Sequence, residues 1–453
     1  MADSRTLDES IGGLMEGVTD ALNQDAVDAV SQGEPQWLTE RRKHAWSVYE
    51  RTPMPTTRLE EWRYTDLSRK LKLDTLQRLE WAPRSFQKDQ APARLVQAMD
   101  EDREAAGHLV ELDGSVAHVD LQEELAAKGV VLTSLKKAVE THPELLKEHL
   151  ATNALPPEQG KFQALNAALW TDGILLYVPR GVRMELPIRV SRWISESGKA
   201  LFSRTLIVAD EGSQVSFVDE VLSEDLDAQT LVSSGVEVIA RPNAQVQYVS
   251  LQRMGTGPFH LVQQRTLAEK DSTLDTLNVN LGGSVARLDL NAQLLGTGAN
   301  SDMLGLCFGE GDQHFDHNTS QDHVAAHANS DLLYKGALDG NARSVFRGII
   351  KVHKNAQQTD AYQTNRNLLL SETARADSLP NLEIEADDVR CSHGATVGQL
   401  DQNMLFYLMS RGLPRHIAER LVVMGFLGEV LSRLPLGGVV EKITRIIEEK
   451  LHG

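Results

Sequence analysis

The chain has 453 residues, is 41% hydrophobic and carries a formal net charge of −18. That length and apolar share suffice for one large core or two to three domains, and they exclude a disordered or collagenous chain. No apolar run approaches the ~20 residues that a transmembrane helix needs, and so acidic a chain repels nucleic acid.

The first 35 residues hold eight acidic groups against one Arg. They lack the basic-then-apolar order of a secretory signal and the Arg-rich, acid-poor character of a transit peptide. The expectation is a soluble, cytoplasmic protein with an acidic N-terminal appendage over 1–35. The two cysteines, Cys307 and Cys391, make no disulfide framework, which fits a reducing compartment. No Cys-x-x-Cys is present, so metal chemistry must draw on His, carboxylates or a second subunit.

Residues up to about 160 read as helical. WLTERRKHAWSVYERT (37–52) places Trp37, Leu38, Ala45, Trp46 and Tyr49 at helical spacing, and Pro53 and Pro55 end it. LTSLKKAVETHPELLKEHL (132–150) holds two short helical patterns split by Pro143.

From about 161 to 390 the pattern changes to short β-branched, alternating stretches. They include GILLYVPRGV (173–182), RTLIVAD (204–210), SQVSFVDEV (213–221), GVEVIA (235–240) and AQVQYVSLQ (244–252), each closed by a turn cluster. Small or polar turn pairs precede later strands at Asn243–Ala244, Asp271–Ser272, Ala299–Asn300, Ala328–Asn329, Asn341–Ala342 and Asn355–Ala356. The longer separations are close to twice the shorter ones. A register returning at such intervals favours a coiled stack of strands, although a β-sandwich gives strands at similar spacing.

Beyond about 396 the pattern is helical again. Asp401 is a good N-cap for QNMLFYLMSRG, and Gly412 closes it. PRHIAERLVVMGFLGEVLSRL (414–434) is apolar around most of its circumference, and Pro435 with Gly437–Gly438 breaks it. VVEKITRIIEEKL (439–451) is amphipathic, with Val440, Ile443, Ile446, Ile447 and Leu451 on one side.

The densest set of possible ligands is Cys307, Glu310, Asp312, His314, Asp316, His317, Asp322, His323 and His327. The bland reading, a turn-rich rim of solvated Asp and His, is favoured there. The second candidate is DDVRCSHGATVGQLD, read as a strand end leading to a helix start. Cys391 and His393 are two apart, so on extended chain they share a face. A thiolate beside an imidazole suits iron, or a Cys–His nucleophile. Arg390 would lower the thiol pKa if close. The alternative is a buried Cys beside a hydrogen-bonded His. There is no Gly-x-Ser-x-Gly elbow and no Walker A loop. A β-helix enzyme acting on carbohydrate, with its site at 310–327, is the rival reading, but aromatics are only 5%.

LLYKGALDGNARSVFRGIIKVHKNAQQTDAYQTNRNLLLSETARADSLPNLEIEADDVRCSHGATVGQLDQNMLFYLMSRGL (332–413) resembles the core of the SufB/SufD family of the SUF iron–sulfur cluster assembly system. Of the two branches, PMPTTRLEEWRYTDL (53–67) is similar to the element typical of SufD, and no cysteine precedes Cys307, as would be usual in a SufB. The resemblance implies an α+β, mainly β fold: a right-handed parallel β-helix core (161–390) flanked by N-terminal (36–160) and C-terminal (391–453) helical domains. It implies a non-enzymatic scaffold joined through its β-helix to a SufB-like paralogue, with a homodimer possible for the isolated chain. It also implies a SufC-like ABC ATPase on the C-terminal helices, where Phe406, Met409, Ile417, Leu421, Ile446 and Ile447 are the candidate docking residues. No cofactor is then held tightly by the isolated chain; iron or a transient iron–sulfur cluster sits at a shared interface. His393 matches the family's interface histidine, and Cys391 is the neighbouring thiol.

Overall fold

The computed structural model describes residues 17–101, 104–434 and 436–451. Residues 1–16 of the acidic appendage, and the break assigned to Pro435, lie outside that set.

The centre of the molecule is a parallel β-solenoid of about eight turns. Each turn contributes one strand to each of two sheets, so sequence-alternate strands pair in parallel. One sheet runs from Asp172–Val178 to Arg375–Ile384; the other runs from Ile188–Ile194 to Val389–Gln399. This is the coiled stack that the repeat favoured, and it excludes the sandwich.

The repeat has a simple physical origin. One corner of successive coils is a residue in the left-handed region: Gly212, Asn243, Asp271, Gly298, His327 and Gln358. The next position is a small, fully buried residue in most coils, as at Ser213, Ala244, Ser272, Ala299 and Ala328. Asn and Asp tolerate that backbone better than other non-glycine residues, and a small side chain lets coils stack at the corner. The half-period spacing at Asn341–Ala342 marks the passage from one sheet to the other.

Inside the solenoid the lining changes along its length. Ile174, Leu176, Val190, Phe217, Val236, Val238 and Val246 fill the early coils with apolar side chains. Later coils carry Asn278, His317, Gln321, His323, Gln363 and Asn365 at buried positions.

The N-terminal part is less helical than its sequence pattern suggested. Helices Gln36–Arg51 and Lys161–Leu169 pack on the first sheet through Trp46, Tyr49, Phe162, Leu165 and Trp170. The buried Arg42 guanidinium lies over the Trp170 ring and donates to the Ala168 and Trp170 carbonyls. Strands Gly107–Leu112, Ser115–Leu121 and Val131–Ser134 also lie in this part, where only helices were expected. Gly107–Leu112 pairs in parallel with Ile188–Ile194, and Ser115–Leu121 folds back antiparallel on it. Val131–Ser134 pairs antiparallel with Asp172–Val178. These segments are too short to show a period, and their strand form comes from pairing with the first coil.

At the other end the solenoid runs further than the sequence reading placed it. Val389–Gln399 is a full strand in register with Thr359–Leu369, so strand structure ends at 399 rather than 390. Gly394 and Gly398 gave that segment a loop-like look, but ladder pairing overrides the composition.

Three helices follow. Gln402–Ser410 is capped by Asp401, whose carboxylate accepts from the Asn403 and Met404 amides. Arg415–Leu431 and Gly437–Lys450 lie on the outer face of the second sheet, burying Val423, Leu427, Val430, Ile443 and Ile447 against Val249, Leu277, Leu304 and Leu333. Ion pairs fix them there. Arg433 bonds Asp302 and Asp331 at 2.9 and 2.8 Å, Lys335 pairs with Glu429, and the buried Lys442 pairs with the buried Glu220. Among the described residues no helix is long and apolar enough to cross a membrane.

Candidate functional site

Among the described residues the last strand, Val389–Gln399, has a strand neighbour on one side only. Its ladder places Cys391 beside Ala361 and His393 beside Gln363. Ala361 and Gln363 are inward-facing and buried, so Cys391 and His393 continue two interior columns. No further coil among the described residues covers them. His393 is therefore exposed, and Cys391 is half-buried against Ile350, Val352, Ala361 and Ala386. Same-face placement of the pair is thus a consequence of strand alternation at the solenoid's open end.

Burial, with Asp360 beside it, raises the Cys391 thiol above its ordinary pKa. The expected lowering by Arg390 does not occur. Arg390 is the preceding residue on the strand, so its side chain leaves from the opposite face, and desolvation dominates.

The open end also exposes apolar side chains that the sequence reading passed over. Leu382, Ile384 and Val397 are 36, 40 and 45% exposed, while their ladder neighbours Ile350, Val352 and Asn367 are buried. The available signal was an inward-facing apolar register with no following coil to cover it.

The 307–327 set does not converge. His314–His323 is a strand, not a turn-rich rim, and its side chains alternate between the two faces. His317 and His323 point into the solenoid, where His317 shares a hydrogen bond with Asn280 and His323 with Ser330. His314 and Asp316 point outward to Thr65. Burial lowers His314 to about 3 and His317 and His323 to about 4, and it pushes the Cys307 thiol up to about 12. Neutral, separately bonded imidazoles are structural here. Among the described residues no three His, Cys, Asp or Glu side chains form a metal-holding group.

The candidate docking residues divide. Phe406 is 73% exposed, and Met409 and Leu421 are exposed as well. Helix Gln402–Ser410 buries only Leu405. Ile417 is half-buried. Ile446 and Ile447 are buried in the cluster that joins the last helix to the solenoid, so they are packing residues and not a free surface.

Two family models match the chain in succession, over residues 19–426. The SufBD protein N-terminal region covers residues 19–190, and the SUF system FeS cluster assembly SufBD core domain covers 192–426. The chain belongs to the SufBD family. It is 32% identical over 424 residues to the iron–sulfur cluster assembly protein SufD of Bacillus subtilis, covering 92% of this chain and 95% of that one. SufBD family proteins of Staphylococcus epidermidis and Staphylococcus haemolyticus are each 28% identical over 443 residues, covering 95% of this chain and 93% of theirs. The likeness spans both the N-terminal region and the core, so the chain is an iron–sulfur cluster assembly protein of SufD-like type. The core match runs from Arg192 to Phe426, so it omits only the first strands of the solenoid and includes the open strand with Cys391 and His393.

Proposed function

We propose that this SufD-like chain is a non-enzymatic scaffold that builds an iron–sulfur cluster at a site shared with a SufB-like paralogue. The observation that carries the reading is the last strand: an unpaired edge that presents Cys391 and His393 on one face beside exposed Leu382, Ile384 and Val397. An open edge of this kind is a template for strand addition, and its apolar residues are stabilised by cover. Two donor side chains do not complete a cluster's ligand set, so the remaining donors come from the paralogue.

In this reading His393 ligates iron as neutral imidazole, a borderline donor from which a finished cluster can be released. Cys391 is the neighbouring thiol and loses its proton when it ligates. The exposed side of Gln402–Ser410, with Phe406 and Met409, and Leu421 on the next helix receive a SufC-like ABC ATPase. Only Leu400 and Asp401 separate that helix from the open strand, which gives ATP-driven movement a short path to His393. No cofactor is held tightly by the isolated chain, and the cluster is cargo.

His393→Ala tests the assignment in the complex with the paralogue and the ATPase. Cluster build-up, followed by visible absorbance, should fall sharply, while the complex elutes at its normal size. Build-up equal to wild type would remove His393 from the ligand set. A chain that captures neither partner from purified components would overturn the scaffold reading.

A further inference from the structure

The open end of the solenoid carries a second pattern, in its charges. The last coil turns from Arg375–Ile384 into Val389–Gln399 through a corner at 385–388, and both strands are sheet edges among the described residues. Residues 383–388 hold Glu383, Glu385, Asp387 and Asp388 and no basic residue. All four are exposed, and among the described residues none takes part in an ion pair. Lys351 stands beside Glu383 in the ladder without pairing to it, and the next cation along the chain is Arg390. The corresponding corners of the two preceding coils, 324–327 and 353–358, contain no carboxylate, and the nearer one has Lys354. The carboxylates are thus concentrated where the stack stops.

Their placement matters because the same coil exposes Leu382, Ile384 and Val397. Apolar cover favours any partner of similar shape, a second copy of this chain included. The charges discriminate. Two copies meet end to end about a two-fold axis, and two orientations of that axis bring their edge strands together antiparallel. With the axis along the strands, the 383–388 corner faces its own copy. With the axis across the sheets, it faces the coil's other corner, beside Leu369 and Gln399, where the exposed Glu372 and Asp401 outnumber Arg375. Either way carboxylates face carboxylates across an interface, where like charges are costly.

On the reading that the open end takes a paralogue, we propose that this corner selects the partner. It favours a different chain whose facing corner is rich in Lys or Arg, and it disfavours a second copy of this one. Leu382, Ile384 and Val397 supply the affinity that cover gives, while the carboxylates decide which chain docks and speed its approach. Exposed charges are screened by salt, so salt acts in opposite directions on the two pairings. It weakens docking of the paralogue and strengthens self-association.

The test is the full chain with Glu385→Gln, Asp387→Asn and Asp388→Asn combined. Affinity for the purified paralogue is read by titration calorimetry, and self-association by sedimentation. All three side chains are exposed, so the variant folds. It should bind the paralogue roughly tenfold more weakly than wild type, lose most of the salt dependence, and self-associate more tightly. Unchanged affinity for the paralogue overturns the selection, and so does wild-type self-association as tight as the variant's. Failure of the wild-type chain to bind the paralogue at any salt concentration is a separate result, which removes the scaffold reading and the selection with it.

Discussion

The two ends of the solenoid solve the same problem in opposite ways. A stack of coils leaves unpaired backbone and uncovered interior residues at each end. At the first coil the chain folds back on itself: Ser115–Leu121 and Val131–Ser134 close the two sheets with antiparallel strands. Beneath them Leu109, Ile174 and Ile188 are almost wholly buried. The Asp172 carboxylate accepts from the Val116, Lys136 and Gly173 amides, which ties one capping strand, and the helix that follows the other, to the first coil. At the last coil nothing comparable follows among the described residues, and equivalent inward positions, Ile384 and Val397, stay exposed. One end is finished within the chain. The other is left uncovered by the described residues, and it is the end that carries Cys391 and His393.

The comparison breaks most decisively with matched truncations at the two ends. Leu109→Ala at the closed end should lower the free energy of unfolding by about 2–5 kcal/mol, as for a buried leucine, read as a lower urea midpoint. The same midpoint after Leu109→Ala as in wild type would mean that this cap adds nothing.

The histidines sharpen the contrast next. His260, His314, His317 and His323 are buried, and burial lowers their pKa values to about 3 to 4. The unfolded chain therefore takes up protons first. Stability from these groups is complete above about pH 6.5 and is lost as pH falls toward about 4, at about 1.4 kcal/mol per pH unit for each group. His317→Gln should flatten that slope in unfolding titrations at stepped pH.

A smaller effect is expected from Ile384→Ala, the open-end counterpart of Leu109→Ala. It should cost less than about 1 kcal/mol in the isolated chain because the side chain is already exposed. Its loss should appear instead in affinity for the paralogue, measured by titration calorimetry. The smallest effect belongs to Phe406→Ser, within about 0.5 kcal/mol of wild-type stability, with weaker capture of the ATPase. Capture at wild-type affinity would count against Gln402–Ser410 as a docking helix.

Much of this was legible in advance because it depends on local rules. Asp401 reads as a cap from its place before an apolar run, and its carboxylate does cap. The recurring corners at Asn243, Asp271 and Ala328 set the coil period before any strand pairing was known. Other features gave no local signal. The strands Gly107–Leu112 and Val131–Ser134 are held by partners distant in sequence, so a helical neighbourhood masked them. The strand through Cys391 was hidden by its glycines. His314 and His317 looked alike in a ligand-rich run, yet strand alternation sends one to the outer face and the other to the interior.

The sequence by itself determined the coil repeat, the helix caps, the scarcity of thiols and the family likeness. Each of these is written in residue type and short spacing. Only the tertiary structure decided which side chains lack cover. Ile446 and Ile384 are the same residue type on amphipathic segments, but one is sealed beneath the solenoid's outer face and the other faces outward from its last coil. Burial depends on which strand comes next in space, and at the open end of this solenoid no strand of the described residues does.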